Sequence, residues 1–318
     1  MRASPVLVGV AVLVAFAGGA QARAPEALGA LRPEADPDNV GFADSDAPVT
    51  AFFPRADHAR ARLRWNWPRF STSEYVATSV AASVAVAAAV LRPTNSGWSR
   101  GALWDEDARN SLRLGSYQDR RAARDASDVL LALTVSYPIL VDGVLAASWY
   151  YESPEVAEQL VLISTETLAI TAAVHGIVST SVGRERPFGR SCGSELSEES
   201  RDCDGSARHR SFFSGHASLA FAGASLVCIN RAYLPLHGGG AADAVTCGSA
   251  YVAAASTATL RVVSDMHYTT DVLAGAAWGT LAGLTLPWLL HYRHGTQRPK
   301  VGTYLVPYPG GVAFGGHF

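Results

Sequence analysis

Six apolar runs with helical spacing, at about 75–91, 128–150, 156–181, 215–234, 244–263 and 270–292, constrain the fold of this chain more than any other feature. Each is long enough for several helical turns and too weakly polar to stand alone in water, so the runs have to pack on one another. With consecutive runs alternating in direction, the segments after the third run, before the fourth and between the fifth and sixth meet at one end of an antiparallel bundle. The expected fold is therefore all-α, a six-helix antiparallel bundle. Asp142, Glu158, Glu166, Asn230 and Arg231 within the runs, and a mean hydropathy of only +0.11, weigh against six membrane spans. Gly275, Gly279 and Gly283 at small-xxx-small spacing suit close packing in a membrane, and would suit a soluble bundle as well. A membrane-embedded bundle is the expectation.

The segments that should share one end carry the chemistry. Arg184-Glu185-Arg186-Pro187 follows the third run, Ser214-Gly215-His216 opens the fourth, and Arg261, His267 and Asp271 straddle the fifth and sixth. Guanidinium groups stay charged and bind phosphate oxygens through paired N–H donors. Ser214-Gly215 lies where a helix begins and its free backbone N–H groups attract an anion. His267 and Asp271 are one helical turn apart, so the carboxylate can accept a proton from one ring nitrogen and orient the other toward phosphorus. Taken alone, each cluster also reads as a solvated helix end, a turn or a surface hydrogen bond. Together they describe a phosphate-handling site.

In this order and spacing the clusters resemble the type 2 phosphatidic acid phosphatase and vanadium haloperoxidase superfamily, with its Lys-x6-Arg-Pro, Pro-Ser-Gly-His and Ser-Arg-x5-His-x3-Asp pattern, over roughly residues 74–292. The resemblance implies that His267 attacks phosphorus and forms a phosphohistidine, that His216 protonates the leaving group, and that Asp271 supports His267. It implies phosphate binding by Arg186, Arg261, Ser214 and Gly215, with no metal and no cofactor; vanadate would act as an inhibitor or, in a haloperoxidase, as the cofactor. Three positions depart from the pattern: Ser179 stands for the lysine, Phe213 for the proline and Leu260 for the serine. The chain's only lysine is Lys300, so Arg184 is the candidate replacement cation. The expected substrate is a lipid phosphate or diphosphate. A haloperoxidase and a non-catalytic membrane scaffold with a decayed site are the alternatives.

The net charge of -2 and the absence of a basic run exclude a nucleic-acid footprint, and no metal-ligand cluster is evident along the chain. Residues 1–22 read as a signal peptide ending Ala20-Gln21-Ala22, or as an anchor, and 23–73 as an exposed extension. Trp65-Asn66-Trp67-Pro68 suits a membrane interface or packing on the bundle. The phosphatase domain is 74–292, and the tail 293–318 is strand-like from Val301 to Val306, with turns, as a poorly ordered appendage. His58, His209, His237, His291, His294 and His317 read as solvated, and His175 as a helix contact.

Two signals disagree on orientation. The arginines between the first two runs, from Arg92 to Arg124, place the site in the cytoplasm under the positive-inside rule. Cys192 and Cys203, in the loop between the first two clusters, suit a disulfide in an oxidising compartment; Cys228 and Cys247 read as buried thiols. The signal segment and the loop cysteines decide for the cell envelope, with the site facing the periplasm. A catalytic pair of histidines, one neutral and one protonated, gives a bell-shaped pH profile.

Overall fold

Long helices appear where the apolar runs predict them, with boundaries set by capping chemistry. The computed structural model describes residues 62–94, 97–295, 302–308 and 311–317, so the segment 1–22 and most of the extension lie outside the described residues. Helix α1, Thr72–Val90, starts at a reciprocal cap in which the Ser71 hydroxyl accepts from the Glu74 N–H and the Glu74 carboxylate accepts from the Ser71 N–H. A short α2, Asp105–Leu112, precedes α3, Tyr117–Ser136. The second run was expected to begin at 128. It begins eleven residues earlier because Ser116 caps a polar turn that apolar periodicity does not register.

A π-helical stretch, Tyr137–Tyr150, continues α3. Helix α4, Pro154–Val182, ends at Gly183, whose φ of 60° is the left-handed cap that turns the chain toward Arg184. A one-turn α5, Arg201–Asp204, lies in the following loop. Then come α6, Gly215–Tyr233, α7, Ala241–Val263, and α8, Thr269–Leu290. The architecture is all-α apart from a C-terminal hairpin of β1, Gly302–Tyr308, and β2, Gly311–His317, with Leu305 opposite Phe314. Its first strand covers most of the strand-like stretch expected from Val301 to Val306.

Helix α6 is the axis, packed by α3, α4, α7 and α8. Its alanines and serines from Ala217 to Ser225 are almost entirely buried, which leaves no room for bulk. Helix α8 meets it through a glycine stripe: a Cβ on Gly275 or Gly279 would collide with the carbonyl oxygen of Ser214 or Ser218, and one on Gly283 would lie 2.5 Å from the Ser225 Cβ. Cys228 and Cys247 form a disulfide between α6 and α7, in place of the two buried thiols expected.

Polarity is turned inward. Asp142, Gln159, Glu166, Thr171 and Arg231 are buried, while Val76, Val80, Leu133, Leu140, Trp149 and Leu281 face out. Four helical stretches are long and apolar enough to cross a membrane: Thr72–Val90, Tyr117–Tyr150, Pro154–Val182 and Thr269–His294. Outward apolar side chains on such helices are what lipid requires and water penalises. The tryptophan segment joins this unit by packing: Trp67 is buried against Tyr233 and Tyr292, and Phe70 donates its N–H to the Gln159 side chain at 2.7 Å.

Candidate active site

One end of the bundle gathers the C-termini of α1, α4 and α7 and the N-termini of α6 and α8. The three sequence clusters therefore converge there. His267, in the α7–α8 turn, is 2% exposed, and the charges of Arg186, Arg261 and His216 all act on its ring. Burial and those neighbours hold its pKa well below the usual imidazole value, so the ring is neutral at physiological pH.

The orienter differs from the one expected. His267 Nδ1 lies 2.8 Å from the Ser211 carbonyl and 3.9 Å from the Asp271 carboxylate, so the ring donates to the backbone and not to Asp271. That hydrogen bond fixes the tautomer and leaves the lone pair on Nε2. Asp271 works one step back. Its Oδ2 accepts from the Ser211 hydroxyl at 2.5 Å and from the Tyr268 N–H at 3.0 Å, and its carbonyl accepts from the Ser214 N–H at 2.9 Å. It thus ties the Ser211 carbonyl, the His267 turn and the cap of α6 into one frame. Ser211 escapes sequence reasoning because its contribution is a backbone oxygen that any residue carries.

Arg184 is corrected too. It is fully buried, its terminal nitrogens bonded to Asp271 at 2.5 Å, Asp105 at 2.8 Å, Thr270 and the Arg100 carbonyl, and its guanidinium lies over the Trp98 and Tyr268 rings. With two carboxylates neutralising it, Arg184 holds Asp271 in place and does not stand in for the absent lysine. Ser179, at the lysine position, is buried and bonds back to the Gly176 carbonyl.

Arg186 and Arg261 differ from Arg184 in what they lack. Arg186 bonds through Nε to the Arg210 carbonyl at 3.3 Å, and its terminal nitrogens have no protein partner among the described residues. Arg261 reaches Ser127 and Asp128, both at 3.1 Å through Nη1, with Nη2 unpartnered among the described residues. Burial first, then repulsion from Arg124, lowers the Arg186 pKa to about 10; burial and repulsion from Arg186 lower that of Arg261 to about 9. Such crowded cations gain from an anion between them.

Helix α3 supplies what sequence reasoning missed. Asp128 accepts from His216 Nε2 at 2.7 Å and from Arg261, joining two of the expected site residues. Arg124, one turn earlier, acts electrostatically on both Arg186 and Arg261 and pairs with Asp202 at 3.2 Å. Desolvation, then the nearby Arg261, lowers the His216 pKa to about 4 against the opposing pull of Asp128. Ser214 caps α6 by accepting from Ala217 N–H at 3.3 Å, which leaves the Gly215 and His216 N–H groups for a ligand. His175 packs beneath this cradle, against Phe213 and close to Gly215.

The loop above the site is closed by the Cys192–Cys203 disulfide and pinned to the arginine-rich stretch: Glu195 binds Arg113 and Arg120, and Asp202 binds Arg124. Asp265 in the His267 turn takes Arg109 and Arg113.

The family model of the PAP2 superfamily matches residues 160–295. That stretch holds the residues from Arg186 to Asp271 discussed above and leaves out α1, α2 and α3. No curated protein and no solved structure matches the chain.

Proposed function

Residues 160–295 belong to the PAP2 superfamily, whose members are phosphatases and related hydrolases, and on that premise we propose that this protein hydrolyses a lipid phosphate or diphosphate through a phosphohistidine. The observation that carries the proposal is the His267 tautomer, with Nδ1 committed to the Ser211 carbonyl and the ring under the charges of Arg186 and Arg261. Nε2 attacks phosphorus while the ester bond breaks, and His216 gives its proton to the departing oxygen. Water then attacks the phosphohistidine, His216 takes the water's proton, and phosphate leaves with His267 restored. Arg186, Arg261 and the Gly215 and His216 N–H groups carry the charge that builds on the phosphoryl oxygens.

Arg124 is the third cation in this reading, since it faces both phosphate arginines. The charge it brings replaces the lysine that Ser179 lacks. Guanidinium groups fill the role a metal ion would have, so the chemical step is metal-independent. Apolar, outward-facing helices beside the site favour a lipid ester over a soluble one. The Cys192–Cys203 disulfide, in the loop over the site, favours an oxidising compartment and hence a site facing the periplasm.

The test is phosphate release from a panel of lipid phosphates by detergent-solubilised protein, without added metal, comparing wild type with His267→Ala. Release by the wild type alone, with an acid-labile phosphoprotein trapped on rapid quench, is the expected result. Equal release by both proteins overturns the assignment of His267.

A further inference from the structure

The end of the bundle remote from His267 brings together three side chains that phosphate chemistry does not use. Glu74 in the first turn of α1, Glu166 within α4 and His291 just past α8 place one ligand-type atom each within 4.8 Å of the others. They come from three helices far apart in sequence, which is why no metal-ligand spacing is legible in the chain. His291, expected to be solvated, is 1% exposed, and Glu166 is 2% exposed.

Two of the three are held with one ligand-type atom left unpartnered. The Glu74 Oε2 accepts from the Ser71 N–H and hydroxyl, both at 2.6 Å, which leaves Oε1 buried with no hydrogen-bond donor. His291 donates from Nδ1 to the Pro68 carbonyl at 3.1 Å, so its Nε2 is the free ring nitrogen. That Nε2 stands 3.0 Å from Glu74 Oε1 without forming a hydrogen bond to it. Glu166 makes no hydrogen bond and no ion pair among the described residues.

Two acceptors in contact, beside a buried carboxylate with no countercharge, repel one another and lose hydration together. A cation removes both penalties at once. We infer that Glu74, Glu166 and His291 bind a divalent transition-metal ion of the zinc type. The imidazole nitrogen favours such an ion over magnesium or calcium, and one nitrogen with two carboxylate oxygens is a common three-residue donor set for it. The Pro68 carbonyl keeps the imidazole in the ligating tautomer. The ion joins α1, α4 and α8, and through Pro68 the tryptophan segment, at the end of the bundle where no chemistry occurs. Its function is structural.

Zinc content and thermal unfolding of the full-length protein in detergent test this, with no substrate present, so the outcome is independent of the phosphatase reading. Protein stripped with chelator, equilibrated with zinc sulfate and gel-filtered should retain about one zinc per chain, and its unfolding midpoint should rise by about 4 °C or more over the stripped form. Glu166→Gln, which keeps the shape and removes the charge, should retain less than about a tenth as much zinc and show no zinc-dependent rise. His291→Gln should behave alike. Wild type without zinc, or Glu166→Gln with as much zinc as wild type, overturns the inference; the first result would mean that protons bridge the three groups.

Discussion

Arginines are buried at both ends of this bundle under opposite conditions. At the remote end, Arg231 is chelated by Asp142, with contacts of 2.7 and 2.8 Å, and Asp243 lies 3.4 Å from its Nε. At the phosphate end, Arg261 has one contact to a half-exposed Asp128, and Arg186 has no carboxylate partner among the described residues. The first arrangement is complete and joins the π-helical stretch to α6 and α7. The second is short of negative charge, which is the property an anion site needs. Burial alone therefore does not distinguish the two ends; the missing counter-ion does.

The comparison can be broken by substitution. His267→Ala should reduce turnover by about 10⁴-fold or more while leaving the unfolding midpoint close to wild type, measured by phosphate release and thermal melts. Arg186→Ala should lower kcat by about 10²–10³-fold, and the protein should no longer be stabilised by inorganic phosphate. At the other end, Asp142→Ala strands the Arg231 charge and should cost about 3–5 kcal/mol of stability with turnover per folded molecule unchanged. If Arg186→Ala destabilises and Asp142→Ala impairs turnover instead, the contrast between the two ends is wrong.

The pH profile sharpens it. In the proposed reaction His216 must be protonated to act, and burial and Arg261 lower its pKa to about 4. The fraction protonated falls as pH rises above that value. Because His267 is already neutral, its limb of the bell lies at acid pH. Between pH 5 and 8, kcat/KM should therefore decline steadily with a fixed-charge substrate such as a methyl-capped diphosphate. Asp128→Asn removes the group that raises the His216 pKa, and should move the decline to lower pH and reduce kcat/KM at pH 7 by about tenfold. The smallest effect is expected for Arg124→Ala, a rise in KM of a few-fold with kcat nearly unchanged, as for loss of one half-exposed charge.

The long helices were legible because apolar periodicity over twenty residues has few other readings. A helix start was legible where a residue type is required, as at the Ser214 cap. Contacts made by common groups were not. The Ser211 carbonyl, the Asp128 bridge and the Glu74–Glu166–His291 meeting depend on which helices lie side by side, and spacing along one helix does not report that. Arginine counting is weakened for a related reason. Arg109, Arg113 and Arg120 bind Asp265 and Glu195, so they are parts of a folded loop and carry little information about sidedness. Arg184 shows the converse: its place beside Arg186 suggested a shared ligand, whereas the fold gave it to Asp105 and Asp271.

The glycine stripe on α8 has a consequence for how such a site can vary. The Ser214-Gly215 start of α6 and the His267 turn that leads into α8 lie on adjoining elements, and Gly275 and Gly279 meet α6 carbonyls with no space for a methyl group. The stripe is a gauge block that sets the spacing between the two. Lipid-facing residues of α8 can drift freely with the membrane the protein inhabits, whereas an added carbon on the inner face would widen the gap at the reaction centre. Rate, and not foldedness, would be the first property to register the change.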